Sequence, residues 1–107
     1  MLYLLDVQID YNAIGDRMDE LMPAEWEQTE AMIRSGKLLG LWRKANAKGV
    51  VAVWDMADHV ALNEQIRKMP LYPYMSQVEV VPLVPHPRYP EFAQAAAGLR
   101  ERISEEE

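Results

Sequence analysis

Apolar and polar residues alternate along the first segment of the chain. From Leu2 to Ile9, Tyr3, Leu5, Val7 and Ile9 fall on one side, and Asp6 and Gln8 on the other. That two-residue period predicts a strand with one buried face. Asp10 to Gly15 reads as a turn. A helix is expected from about Asp16 or Pro23 to Ser35, since Pro23 suits a first helical turn and Gly36 stands where a C-cap glycine belongs. Two further strands, Leu38–Asn46 and Val50–Met56, flank Ala47-Lys48-Gly49, where Gly49 can take a positive φ. Asp58 is placed as the N-cap of a second helix, whose His59, Leu62, Ile66 and Met69 form one stripe that Pro70 ends. A fourth strand, broken near Pro82 and Pro85, runs from Met75 to Val84.

The order strand, helix, strand, strand, helix, strand is the split βαβ pattern of an α+β, ferredoxin-like subunit with an antiparallel sheet. Helices cover one face of such a sheet. The other keeps apolar residues that need a cover, and in a small chain a second copy packed sheet against sheet is the usual one. Residues 1–87 therefore read as one domain and 88–107 as a helical extension with an acidic end. In that extension Phe92, Ala96, Leu99 and Ile103 form a stripe that either folds back on its own subunit or docks on a neighbour.

Composition narrows the function. The 107 residues carry a formal net charge of −6, which argues against a nucleic-acid partner. No cysteine is present, which removes disulfides, thiol nucleophiles and Cys-ligated metals and fits a reducing cytoplasm. No apolar run approaches the roughly 20 residues of a membrane span. Asp6 comes too early for a signal peptide. The two histidines are far apart and show no metal-ligand spacing.

One residue breaks the pattern of the first long helix. At about 100° per residue, Met18, Leu21, Met22, Thr29, Met32 and Ile33 lie within roughly 80° of Glu25. The other acids of the helix lie on the far side. A carboxylate among apolar residues is paired, with Arg43 or Lys44 as candidates, or lies at a solvated stripe edge. Otherwise it is a general acid/base whose pKa burial raises toward neutrality. Alternation puts Arg43 and Lys44 on opposite faces of their strand, so one at most faces a given cleft. Trp26, Trp42 and Trp54 serve as core or as pocket walls. His59 reads as a surface or capping residue, and His86, between Pro85 and Pro87, as a residue of a pocket mouth. Pro70-Leu71-Tyr72-Pro73-Tyr74-Met75 makes a stiff aromatic corner suited to a pocket wall.

That corner, with Val78-Glu79-Val80, His86-Pro87, Leu41-Trp42-Arg43 and Val53-Trp54-Asp55, resembles the muconolactone isomerases from Met1 to about Pro87. The resemblance implies subunits paired into dimeric α/β barrels that assemble into decamers, with no metal and no organic cofactor. It implies proton transfer within an unsaturated lactone, muconolactone to 3-oxoadipate enol-lactone, in aromatic catabolism. Counting back from Leu41-Trp42-Arg43, the family's acid/base falls on Glu25. The substrate-binding residues expected beside it are Arg43, Lys48, Tyr74, Trp42 and His86. One departure stands out: the polar set that the family carries on its second hairpin is replaced by Ala47, Lys48, Gly49, Val50 and Val51. Either Lys48 supplies the missing contact or the substrate is less polar. Two other readings share the fold: a cofactor-independent monooxygenase of aromatic polyketides, and a non-catalytic ligand-binding barrel.

Overall fold

The computed structural model describes residues 1–89 together with Glu91 and Phe92. Strand β1 (Leu2–Ile9) alternates strictly between half-buried and buried residues, as its sequence period demands. It pairs antiparallel with β3 (Gly49–Asp55) on one side and with β4 (Met75–Leu83) on the other. Strand β2 (Leu38–Arg43) completes the sheet beyond β3, in the order β2-β3-β1-β4. The expected α+β, ferredoxin-like antiparallel sheet is the observed one.

The segment read as a turn is helical instead. Asp10 caps a single turn, α1 (Tyr11–Ile14), by accepting the Ala13 N–H at 3.1 Å, and a 3-10 turn over Gly15–Arg17 leads into α2 (Met18–Arg34). Ile14 is buried, so tertiary packing fixes a segment whose Asn, Gly and Asp residues favour a loop. Helix α2 starts at Met18 and runs through Pro23. The donor that Pro23 lacks would have served the Asp19 carbonyl, and Asp19 is exposed, where water can replace it. At the other end Gly36, with φ 77°, donates to the Ile33 carbonyl at 3.0 Å, and Lys37 donates to that of Met32 at 3.1 Å. These paired bonds are a Schellman cap. Helix α3 (His59–Lys68) has Asp58 as its cap, accepting from Ala61 N–H at 2.8 Å. A 3-10 turn over Tyr72–Tyr74 then leads into β4.

The bounds of β3 and β4 differ from expectation by one residue, β4 running unbroken through Pro82, and the end of β2 differs by more. β2 stops at Arg43 rather than Asn46, and the left-handed residue of the following turn is Ala47, with φ 60°. Gly49 takes the expected positive φ, 158°, and is needed for a second reason as well: a Cβ there would lie 1.9 Å from the Val7 carbonyl oxygen. β2 also carries an irregularity between Leu38 and Gly40: Leu38 opposes Trp54, while Gly40 opposes Val53. This bulge has consequences for the site.

The buried face of β1 meets Leu38, Ala52, Trp54, Leu62, Ile66 and Leu71 in one core. On the outer face Leu2, Leu4, Val51 and Val53 are half-buried, and Val81 is 37 % exposed. Trp42 also lies there, its ring over Gly40, where a Cβ would approach to 2.5 Å. Among the described residues no helix is long and apolar enough to cross a membrane. Of the tail stripe, Phe92 is exposed and the remainder lies outside the described residues.

Gly49→Ala and Gly40→Ala should separate two kinds of clash. Backbone meets the new methyl at Gly49, so urea denaturation should show a loss of about 2–4 kcal/mol. At Gly40 the obstacle is a movable indole ring. A loss of about 1 kcal/mol with altered Trp fluorescence is expected there.

Candidate active site

Helix α2 has no fully buried residue, although its inner face is apolar. The reason is a cavity of about 600 Å³ between that face and the sheet. Met18, Met22, Glu25 and Thr29 look into it from the helix, and Leu5, Val7 and Ile9 form part of its floor. Trp26, Leu41 and Arg43 also line it but are exposed, which places the mouth on their side. Apolar lining with few polar groups is the usual character of a small-molecule site.

Glu25 is half-buried in this wall. Its Oε1 accepts the main-chain N–H of Leu71 at 3.0 Å. Burial pushes its carboxyl pKa up from the ordinary range, while the Leu71 N–H draws it partly back; the Thr29 hydroxyl lies near enough to act in the same sense but gives its hydrogen bond to the Glu25 main-chain carbonyl at 2.8 Å. Among the described residues no cation forms an ion pair with it. The ion pairs among the described residues join the Met1 ammonium to Asp55, Arg17 to Glu20 and Lys44 to Asp6.

The β2 bulge decides which cation reaches the cavity. With strict alternation Leu38 and Arg43 would face opposite ways. The extra residue at Leu39 resets the phase, so Leu38, Leu41 and Arg43 share the cavity side, opposite Trp54, Ala52 and Val50. Lys44 instead meets Asp6. Among the described residues, the Arg43 guanidinium and the half-buried Glu25 carboxylate thus face one apolar cavity without forming an ion pair.

The structure does not bring the other expected residues into this lining. Trp42 lies on the outer sheet face, 57 % exposed. Lys48 lies in the exposed β2–β3 turn, its main-chain N–H donating to Asn46 Oδ1 at 2.9 Å. The Tyr74 hydroxyl accepts from Arg17 at 2.8 Å, outside the cavity. His86 is exposed, packs against Tyr89 with ring centroids 4.9 Å apart, and accepts the Arg88 N–H. His59 is also exposed, and its Nδ1 lies 2.7 Å from the hydroxyl of buried Tyr3. Trp26 and Trp54, left open between core and pocket, both line the cavity. Sequence reasoning passed over Tyr11, which lines it too, and the Leu71 N–H. A main-chain donor has no residue-type signal, and Tyr11 lay in a segment read as a turn.

The sequence model of the muconolactone delta-isomerase family matches residues 1–89. The chain belongs to the muconolactone delta-isomerase family. It is an isomerase of that family. The chain is 28 % identical over 89 residues to the muconolactone delta-isomerase of Cupriavidus pinatubonensis, covering 81 % of this chain and 96 % of that one. It is 30 % identical over 88 residues to an enzyme of the same name from Acinetobacter lwoffii, covering 78 % and 91 %. A muconolactone isomerase crystal structure superposes with a TM-score of 0.70 at 28 % identity, over 81 % of this chain and 92 % of that one. The 5-chloro-2-hydroxyhydroquinone dehydrochlorinase of Burkholderia phenoliruptrix, at 12 % identity and a TM-score of 0.67, covers 82 % and 98 % and shares the fold.

The raised Glu25 pKa has a stability signature. The folded state holds this proton to higher pH than the unfolded chain does, so stability falls as pH rises from the unfolded pKa through the folded one. Glu25→Gln removes the buried charge and keeps an acceptor for Leu71. Thermal denaturation should show the variant gaining on the native protein at pH 8, with the gain shrinking toward pH 4. An advantage independent of pH would contradict an elevated pKa.

Proposed function

We propose that this chain moves a proton within an unsaturated lactone that bears a carboxylate, of the muconolactone type, with Glu25 as the single acid/base. The observation that carries this reading is the pairing in one cavity of an unpaired, half-buried carboxylate with a separate guanidinium. Glu25 removes the γ-proton of the α,β-unsaturated lactone to give a dienolate. It then returns a proton to the α-carbon, so the double bond moves and no atom is gained or lost. One base serves both steps when its pKa lies near working pH and apolar walls keep water out. Arg43 at the mouth binds the substrate carboxylate through charge-assisted hydrogen bonds. These steps call for neither a metal nor an organic cofactor.

Relatives named muconolactone delta-isomerase over most of this chain support muconolactone itself as the first substrate to assay. Ala47 and Val50 in the lining support a lactone ring with few polar substituents on that side. The half-exposed apolar outer face of the sheet supports a dimer formed sheet to sheet, the arrangement from which larger rings would be built.

Turnover is read by ultraviolet absorbance. Glu25→Gln should lower kcat about a hundredfold or more with the fold intact. Arg43→Met should act chiefly on KM, raising it about tenfold for a carboxylate substrate, as expected for a lost charge-assisted hydrogen bond. Full activity in the Glu25 variant would overturn the assignment. Oxygen uptake on a phenolic substrate without lactone turnover would replace it with a monooxygenase.

Trp42→Glu places a charge on the outer sheet face and leaves the cavity untouched. Light scattering should record a lower molar mass for this variant than for the native protein. Equal masses would place the contact elsewhere.

A further inference from the structure

The corner between α3 and β4 has a hydrogen-bond ledger with one member pointing outward. Pro70 and Pro73 have no N–H. Tyr72 N–H donates to the Met69 carbonyl and Tyr74 N–H to that of Leu71, both at 2.9 Å. Met75 N–H closes onto the Tyr72 carbonyl. Every main-chain donor from 70 to 75 is thus absent or spent inside the corner, save that of Leu71. It reaches Glu25 Oε1 at 3.0 Å, across 46 residues of sequence.

The corner is anchored so that this donor cannot drift. The Leu71 side chain is 4 % exposed and Met69 7 %. The Tyr74 carbonyl accepts the Asp10 N–H at 2.8 Å, and the Tyr74 hydroxyl accepts from Arg17. A buried N–H without an acceptor is costly, so the corner and the carboxylate hold each other.

Resting on the acid/base role of Glu25, we propose that Leu71 is a positioning residue whose main-chain N–H pins Oε1 and makes Oε2 the oxygen that carries the proton. In the neutral acid the carbonyl oxygen is a better acceptor than the hydroxyl oxygen, so an N–H donating to Oε1 favours Oε1 as the carbonyl and Oε2 as the protonated oxygen. Oε2 therefore takes the proton from the γ-carbon and returns one to the α-carbon. The bond opposes rotation of the carboxylate and its turning toward Arg43. Tyr74, expected to bind substrate, acts in this arrangement by bracing the corner.

The test removes the N–H and keeps the side chain: an amide-to-ester replacement at residue 71, made by chemical ligation of the full chain. Leu71→Pro is the genetic counterpart, since φ at Leu71 is −83°. Leu71→Ala keeps the N–H and removes packing. Carboxyl ¹³C titration of glutamate-labelled protein, with Glu25 assigned through Glu25→Gln, reads the midpoint directly. Without the N–H the Glu25 midpoint should rise by about one pH unit. The acid limb of kcat/KM should move with it, whereas Leu71→Ala lowers Tm and leaves the midpoint in place. A folded ester variant with an unmoved midpoint overturns the proposal, and so does an equal shift in Leu71→Ala. The titration needs no substrate. Its failure is therefore distinct from failure of the lactone reaction, which the turnover assay alone decides.

Discussion

The buried face of β1 is the constraint around which the rest is arranged. Tyr3, Leu5, Val7 and Ile9 must be kept from water by whatever lies above the sheet. Over one part α3 does so by direct packing, burying Leu62 and Ile66. Over the other part α2 stands off, and the same strand face becomes the floor of a cavity. A close-packed helix would have left no room for a substrate. The sheet and α3 thus supply most of the fully buried core, while the inner face of α2 packs only partly against it and lines the cavity.

Within that cavity the electrostatics follow from what is kept apart. A carboxylate joined to a cation would be held ionised and made a poor base at neutral pH. Here Lys44, the nearest alternative to Arg43 in sequence, is engaged with Asp6. The bulge at Leu39 delivers Arg43 to the mouth, where its charge stays partly hydrated. Burial raises the proton affinity of Glu25, and a single main-chain donor keeps it oriented. Orientation by an N–H costs less basicity than orientation by a full positive charge, because the N–H is a dipole.

The same scaffold serves other chemistry, as the shared fold at 12 % identity shows. In this chain the described residues put one acid, Glu25, and one guanidinium, Arg43, into a mostly apolar cavity, with Ala47 and Val50 from the second hairpin in its wall.

The amino-acid sequence determined the strands, the helices and the odd placement of Glu25, because each rests on a local period of two or 3.6 residues. Asp58 and Gly36 were legible as caps for the same reason: a cap acts within a few residues. The tertiary structure alone decided which side of β2 Arg43 occupies, since one extra residue reverses every later side chain and no local signal marks it. It alone moved Lys48, Trp42 and His86 out of the cavity lining and made a helical turn of Tyr11–Ile14. And it alone brought the Leu71 N–H to Glu25, a bond that depends on two distant segments meeting to within 3.0 Å. Periodicity can say that a carboxylate faces inward. It cannot say what waits there.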